Sequence, residues 1–305
     1  ILPAGLPLDI RWQGHLPALT EELFDEQHQE LYEWLDDKVV HCVSDPPVFI
    51  KLMDIRSSVR GNITKIYKHK EIDDILMKDH LEPGLAGKLK GKLMFAASQL
   101  WGKVGRAFLL AISERQYMKF RGLPSSDLCG VNPAIYAALQ MWKKLIQGGP
   151  PRTIDRISPS SSTVVIFTDG SFPDARLNET DPPRVGMVAF VKGQAQPLQA
   201  TWQIPDDVIQ KWIPRKTQIV MVELIAPILA LWTLKEFTED AHVLLLVDSE
   251  AVEGALIKGY SNRSDMCELV GVFWQLALKL KCSSYIDRVP TDANPSDHPS
   301  RGRME

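Results

Sequence analysis

Short apolar runs alternate with amphipathic stretches through the second half of this 305-residue sequence. Three runs rich in β-branched residues come first and predict strands at 163–168, at "VGMVAFVK" and near "QATWQIP". The elements predicted after them are a helix near 218–236, a strand "HVLLLVD", helices at "SEAVEGALIKG" and 264–281, and a last strand "SSYIDRVP". Three consecutive strands followed by alternating helices and strands predict an α/β fold, with a mixed sheet flanked by helices on both faces.

Helical periodicity dominates the first half of the chain. Apolar residues recur at helical spacing in "LTEELFDEQHQELYEWLDDKVVHCV", in "EIDDILMKDHLEPG" and near 133–147. The same spacing over 85–112 predicts one long helix with core positions Leu89, Leu93, Ala97, Leu100, Val104 and Phe108. A cluster of Gly, Pro and Ser predicts a linker after these helices. The predicted organisation is an acidic N-terminal arm with a helix at 1–50, a mostly helical basic segment at 51–147, the linker at 148–162 and the α/β domain at 163–305.

Charge is distributed unevenly along the chain, although the formal net charge is only −3. Residues 1–50 carry a net charge of −8, residues 51–121 a net charge of +8, and residues 160–305 a net charge of −5. A basic block of this size is typical of a surface that binds a polyanion such as a nucleic acid. It is also compatible with a solvated face that only aids solubility.

Cysteine content and hydropathy indicate the kind of compartment that the protein occupies. The four cysteines are scattered and form no CxxC pair, which argues against a zinc site or a disulfide framework and favours an intracellular reducing compartment. The most apolar helical stretch, "IVMVELIAPILALW", is interrupted by Glu223 and Pro227 and is too short to span a bilayer, so no membrane partner is expected. The sequence begins at Ile1 rather than methionine, which indicates a processed product or an excerpt of a longer protein.

Four acidic residues lie within or directly after predicted strands and an apolar helix, where an ionised side chain is costly unless it has a partner. Asp169 ends the first predicted strand and Asp248 ends "VLLLV", so parallel neighbouring strands would bring both carboxylates to one edge of the sheet. Glu223 lies within an apolar helix, and Asp297 follows the last predicted strand. Converging carboxylates repel each other, and a hard divalent cation, Mg²⁺ or Mn²⁺, would neutralise them. Separate capping roles for Asp169 and Asp248 remain open, but they do not account for Glu223.

The segments that carry these acids are "FTDGS", "VELIAPILAL", "LLLVDSEAVEGALIKG" and "NPSDHPSRG", in that order. Over residues 160–302 they resemble the ribonuclease H domain, and they are most similar to the version carried by reverse transcriptases of DIRS-type and related retroelements. The resemblance implies a ribonuclease H-like fold in which the catalytic residues, holding two Mg²⁺ or Mn²⁺ ions, are Asp169, Glu223, Asp248 and Asp297. It also implies an endonuclease that hydrolyses the RNA strand of RNA–DNA hybrids.

The basic segment before the linker is similar to another part of the same polymerases. "LEPGLAGKLKGKLMFAASQLWGKVGRAFL" resembles the thumb region that precedes the nuclease, so 51–147 is expected to be a thumb- or connection-like domain. The fingers and palm have no counterpart in the sequence, and this chain alone is therefore not expected to synthesise DNA.

Substrate contacts are expected from polar residues near the acids and from the basic segment. The residues expected to contact 2′-hydroxyl groups of RNA are Gly170, Ser171, Ser261, Asn262 and Arg263. The run 261–263 also fits an ordinary turn between helices. The residues expected to bind phosphates are Lys258, Arg263, Arg301, Lys88, Lys92, Lys103 and Arg106. Many ribonucleases H carry a histidine before the last acid; it is missing here, and His298 is the candidate to replace it.

Two further hypotheses remain open beside hydrolysis of RNA–DNA hybrids. In the first, the chain is a structural or RNA-binding subunit of a larger assembly and does not catalyse a reaction. In the second, the same fold acts on another substrate, as in integrases, exonucleases and junction resolvases, because a fold alone does not determine function. The expected partners are an RNA–DNA hybrid or structured RNA, together with other polymerase or assembly subunits.

Overall fold

The structure is a computed structural model that describes residues 70–118, 129–149, 163–173 and 181–304. The described residues between Ile72 and Met304 belong to one compact unit. The predicted acidic arm at 1–50 and most of the predicted linker lie outside the described residues, as do the basic residues before Lys70. The domain boundaries inferred from the sequence therefore stay predictions.

Helices form the described part of the N-terminal half. They are α1 (Lys70–Lys78), α2 (Pro83–Gln99), α3 (Leu110–Tyr117) and α4 (Pro133–Gly148), with a 3₁₀ turn at Ala107–Leu109 between α2 and α3. The α2 helix packs against α3, and α4 packs against α3 and the 3₁₀ turn. Asn132 caps α4 because its side chain accepts a hydrogen bond from the Ile135 N–H, while Pro133 occupies the first turn, where a backbone N–H has no helical partner.

The single long helix predicted over 85–112 is wrong, because a bend separates α2 from the 3₁₀ turn. The α2 helix ends at Gln99, because Leu100 after it is extended, and Gly102 further along the bend has a φ of +58°, a left-handed conformation that glycine adopts without strain. A Cβ at Gly102 would lie 3.0 Å from the Trp274 ring, and one at Gly105 would lie 2.6 Å from the Trp142 ring. The bend lets both aromatic rings approach the backbone, a tertiary requirement that helical periodicity does not reveal.

The C-terminal half contains a mixed sheet of five strands. These are β1 (Thr163–Ser171), β2 (Arg184–Val191), β3 (Leu198–Gln203), β4 (His242–Val247) and β5 (Ser283–Arg288). Their order in the sheet is β3-β2-β1-β4-β5. β2 is antiparallel to both β1 and β3, whereas β4 is parallel to both β1 and β5. The predicted fold class is confirmed in its architecture: a mixed α/β sheet, flanked by helices and preceded by a helical region.

Six helices accompany the strands in the described part of this half. They are α5 (Asp206–Ile209), α6 (Ile219–Thr233), α7 (Lys235–Thr238), α8 (Glu250–Lys258), α9 (Ser264–Lys279) and α10 (Asp297–Ser300), with a further 3₁₀ turn at Thr291–Ala293. The α6 helix is apolar nearly all round because it packs against β1 and β2 and also against α8 and α9. Among the helices of the described ranges, none is long and apolar enough to cross a membrane.

Different helices cover the two faces of the sheet beside the end of β1. Asp169 pairs with Gly186 of β2, and the next residue, Gly170, points to the opposite face. A Cβ at Gly170 would lie 2.6 Å from the backbone nitrogen of Glu223 on α6. A Cβ at Gly186 would collide with the backbone of Ser300 on α10. Both positions require glycine because a helix backbone lies directly on each of them.

Candidate functional site

Two carboxyl groups meet at the ends of the central parallel strands. In the β1–β4 pairing, Thr168 lies opposite Val247, so the residues that follow them, Asp169 and Asp248, lie side by side. The carboxyl groups of these two residues hydrogen-bond to each other. Asp169 is only 7% exposed. The parallel strands thus bring two of the four predicted acids together at one edge of the sheet.

Burial makes both of these carboxyl groups difficult to ionise. Burial raises the pKa of Asp169 from 3.8 to about 7; hydrogen bonds from Ser300 and the Gly170 N–H oppose this rise, and the negative charges of Asp248 and Asp297 add to it. Burial likewise raises the pKa of Asp248, against the effect of its own hydrogen bonds. Such a pair retains a proton near neutral pH unless another cation takes its place.

Glu223 approaches Asp248 from α6, the helix whose backbone lies on Gly170. Burial raises the pKa of Glu223, a hydrogen bond with Ser249 lowers it, and the charge of Asp248 raises it further. Ser249 follows Asp248 directly and precedes α8. Glu223 therefore reaches the same turn that carries Asp248, although the two residues belong to different elements.

Asp297 is the first residue of α10, and its side chain is 30% exposed. Its charge raises the pKa of both Asp169 and Asp248, which places it near both carboxyl groups. Arg301 donates to Asp297 Oδ1 from Nε at 3.0 Å and from Nη2 at 2.9 Å. The sequence assigned Arg301 to a substrate phosphate, whereas the structure pairs it with the last of the four acids.

Three buried polar residues of the last turns were not identified from the sequence. Ser300 donates from Oγ to Asp169 Oδ2. Asn294 forms a hydrogen bond with Asp248. Ser296 donates from Oγ to Asn294 Oδ1 at 2.6 Å. The available signal was the run of short polar residues in "NPSDHPS", but composition does not separate a buried turn from an exposed one.

The chemistry of these side chains fits a hard divalent cation. The raised pKa values of Asp169, Asp248 and Glu223 come from burial and from neighbouring carboxylates. A divalent cation would replace the proton shared by the aspartates and would accept oxygen ligands. Within the described ranges, no group of three or more His, Cys, Asp and Glu residues is already arranged to hold a metal ion. The cluster offers suitable donors without a preformed coordination shell.

Part of the predicted phosphate-binding set gathers at the C-terminal end of α8. Gly259 follows α8 with a φ of +78°, and a Cβ there would lie 2.5 Å from Lys103 Cβ and 3.3 Å from Arg106 Cδ. Arg106 Nη1 donates to the main-chain oxygen of Lys258 at 3.1 Å. We call Lys103, Arg106 and Lys258 the α8 basic cluster. It lies at the start of the turn 261–263, so residues that are far apart in sequence converge there.

The remaining polar and basic candidates lie in the turn after α8 and on α2. Asn262 and Arg263 are exposed, and Ser261 is partly exposed, in the turn between α8 and α9. Lys88 and Lys92 are exposed on α2, which packs against α3 and does not belong to the sheet.

Two residues of the "DGS" segment have packing roles. Gly170 is buried beneath α6, where any side chain would strike the helix. Ser171 donates from Oγ to the main-chain oxygen of Ser300 at 2.6 Å and so holds α10 against β1. His298, the candidate for the missing histidine, is exposed next to Asp297.

Among solved structures, this chain is similar to ribonuclease H1 proteins and to a viral protease-reverse transcriptase. The ribonuclease H1 of the halophilic archaeon Halobacterium salinarum NRC-1 is 23% identical with a TM-score of 0.35, and the match covers 45% of this chain and 93% of that one. LC11-RNase H1 in complex with an RNA/DNA hybrid is 16% identical with a TM-score of 0.33, covering 46% and 96%. The prototype foamy virus protease-reverse transcriptase is 14% identical with a TM-score of 0.32, covering 64% and 31%. No protein-family model matches the sequence, and no curated protein matches it.

Proposed function

We propose that this protein is a metal-dependent endonuclease of the ribonuclease H type, which hydrolyses the RNA strand of RNA–DNA hybrids. The observation that carries the proposal is the hydrogen-bonded pair of Asp169 and Asp248 at the ends of β1 and β4, on which the charge of Asp297 also acts. Burial raises the pKa values of Asp169, Asp248 and Glu223, and the charge of at least one neighbouring carboxyl group adds to each rise. A purely structural role gives no reason to bury several carboxyl groups together, since this arrangement costs stability.

The side chains that would hold Mg²⁺ or Mn²⁺, as two ions, are Asp169, Glu223, Asp248 and Asp297. Bound there, the ions would activate a water molecule and stabilise the leaving 3′-oxygen of the RNA. The protein's own residues orient the ligands. Ser300 donates to Asp169, and Asn294 forms a hydrogen bond with Asp248. Hydrogen bonds of this kind fix the rotation of a ligand carboxylate and support its affinity for the cation.

The α8 basic cluster and the turn 261–263 support an RNA–DNA hybrid as the substrate. Positive side chains at the end of α8 would bind phosphates, which makes affinity fall as salt rises. The polar turn would contact 2′-hydroxyl groups in the shallow minor groove, which distinguish RNA from DNA. Because Lys103 and Arg106 come from the helical region, that region would take part in substrate binding.

The sequence motifs also support an origin in a retroelement polymerase. The four acid-bearing segments occur in the order found in those nucleases, and the thumb-like sequence precedes them. In this reading Lys88 and Lys92 on α2 would face the same nucleic acid as the α8 basic cluster. Other polymerase or assembly subunits would then be partners of this chain.

The proposal is tested with the purified chain, Mg²⁺ and a hybrid labelled on either the RNA or the DNA strand. We expect cleavage of the RNA strand alone, and no cleavage of duplex DNA or branched DNA. Asp169→Asn and Asp248→Asn should each abolish cleavage while hybrid binding is retained, because the α8 basic cluster is unchanged. An RNA strand that stays intact at every salt concentration at which the hybrid is bound would contradict the proposal.

A structural or RNA-binding role without catalysis is the second candidate, and one contact favours it. The Arg301 guanidinium already pairs with Asp297, so one of the four acids has a cationic partner from the protein. If this role is correct, Mg²⁺ should leave the thermal unfolding temperature of the chain unchanged. A rise in that temperature with Mg²⁺, lost in Asp169→Asn, would exclude it.

A further inference from the structure

The Ser300 hydroxyl connects two of the acid-bearing elements. Ser300 is fully buried, with 0% of its surface exposed, and its Oγ donates to Asp169 Oδ2 on β1. The same oxygen lies 2.9 Å from the main-chain oxygen of Asp297 on α10. A buried hydroxyl without a partner is costly, so a hydroxyl at this place needs an acceptor there. The acceptor is one of the four proposed ligand side chains.

The backbone of Ser300 leaves little freedom in where the hydroxyl points. Its N–H donates to the Ser296 oxygen at 3.0 Å, and its carbonyl accepts from Ser171 Oγ at 2.6 Å. Below it, the missing side chain of Gly186 allows the α10 backbone to lie directly on β2. Ser300 is therefore fixed to β1, to β2 and to its own turn, and the direction of its Oγ follows from these contacts.

We propose that Ser300 is a positioning residue for the acidic cluster, which sets the rotation of the Asp169 carboxylate and its spacing from Asp297. The inference rests on the proposed function in one respect, that these carboxylates hold a divalent cation. Asp169 and Asp297 lie on different elements, and the Ser300 hydroxyl lies within hydrogen-bonding distance of both residues. Without it, Asp169 Oδ2 loses the Ser300 hydrogen bond, and the carboxylate keeps only its contacts with the Gly170 N–H and with Asp248, so its rotation is less restricted.

The test compares Ser300→Ala with the wild-type full chain by calorimetric titration of Mg²⁺ and of Mn²⁺. Loss of a hydrogen bond to a metal ligand typically weakens metal binding about 10–100-fold, and we expect a loss in that range. The kcat for hybrid cleavage should fall, while KM for the hybrid should stay unchanged because the proposed substrate contacts lie at α8. Ser300→Cys keeps a donor at this position, although a weaker and slightly larger one, so it should bind metal with intermediate affinity. It also serves as the test variant if Ser300→Ala does not fold.

Thr238→Val is the matched control. Thr238, the last residue of α7, is also fully buried, and its Oγ1 donates to the main-chain oxygen of Leu234 at 3.1 Å. None of the four proposed metal ligands lies on this helix. This variant should lose stability but keep the wild-type metal affinity. A Ser300→Ala variant with reduced stability and unchanged metal affinity would show that the hydroxyl is only structural and would overturn the inference.

The wild-type measurements separate the inference from the proposed function. If the wild-type chain binds Mg²⁺ or Mn²⁺ but does not cleave the hybrid, the proposed function fails, and the affinities of the Ser300 variants still decide the inference. If the wild-type chain binds neither cation, both are overturned. If it binds and cleaves, and Ser300→Ala binds equally well, the inference alone fails.

Discussion

Replacing Asp169 with asparagine removes the carboxyl group whose pKa burial raises from 3.8 to about 7. The folded chain holds this proton up to about pH 7, whereas the unfolded chain releases it near 3.8. Between these values the folded state binds more protons, so the free energy of unfolding of the wild-type chain falls as pH rises through this window. The pKa difference corresponds to roughly 4 kcal/mol, which is an upper limit because Asp169 and Asp248 share the proton.

Asparagine has nearly the same size, can accept the Ser300 hydrogen bond and never ionises. Without divalent cations we expect wild type and Asp169→Asn to have similar free energies of unfolding below pH 3.8, where the Asp169 carboxyl is mostly neutral in both the folded and the unfolded chain. Near pH 8 the variant should be more stable, by at most roughly 4 kcal/mol. Mg²⁺ should narrow this difference, since only the wild type gains binding energy, about 2.7 kcal/mol at a cation concentration one hundred times Kd.

Urea unfolding followed by tryptophan fluorescence measures these free energies across the pH range, with and without Mg²⁺. Glu236→Gln is the control, because Glu236 is an exposed acid on α7. This control should show no pH-dependent difference from wild type. A difference between Asp169→Asn and wild type that is constant at every pH would contradict this explanation, because it would show that burial does not raise the pKa of the Asp169 carboxyl group.

Three further substitutions, two of them with a control variant, test other parts of the structure. Gly186→Ala should destabilise the fold by about 3 kcal/mol or more in urea unfolding because its Cβ collides with the α10 backbone. Gly91→Ala, at an open position of α2, should instead gain up to about 1 kcal/mol, and equal effects would contradict the packing argument. Arg301→Ala removes a cation from the last acid, so Mg²⁺ affinity in calorimetry should rise several-fold; weaker binding would instead assign Arg301 a supporting role. Lys103→Ala should reduce the slope of log affinity for the hybrid against log salt concentration by about 1. Lys235→Ala is the control and should leave this slope unchanged, because Lys235 lies over the Trp232 ring, outside the α8 basic cluster.

The proximity of Asp169 and Asp248 was accessible from the sequence because it depends on local patterns. Each acid follows a run of buried β-branched or aliphatic residues, and the order of strands and helices makes the two strands parallel neighbours. Glu223 was accessible for a similar reason, since an acid inside an apolar helix requires a polar partner. Hydrophobic periodicity and the burial that it indicates are properties of short segments, and they can therefore be inferred from a single sequence.

The contacts that the sequence did not reveal depend on residues far apart in the chain. Ser300 meets Asp169 across 131 positions, and nothing near either residue indicates the other. The bend after α2 depends in the same way on Trp274, which packs on Gly102. Arg301 is a different case, because its spacing of four from Asp297 is the spacing of a helical ion pair. That pairing was missed because no helix was predicted after the last strand.

The bend after α2 also determines where this protein can be divided. The backbone at Gly102 packs on the indole of Trp274, and the Arg106 guanidinium donates a hydrogen bond to the main-chain oxygen of Lys258 at the end of α8. A fragment that started at Thr163 would expose that indole to water and leave the Lys258 carbonyl without its guanidinium. The bend and the 3₁₀ turn therefore cover α9 and the end of α8, and the sheet domain expressed without them would be prone to aggregate.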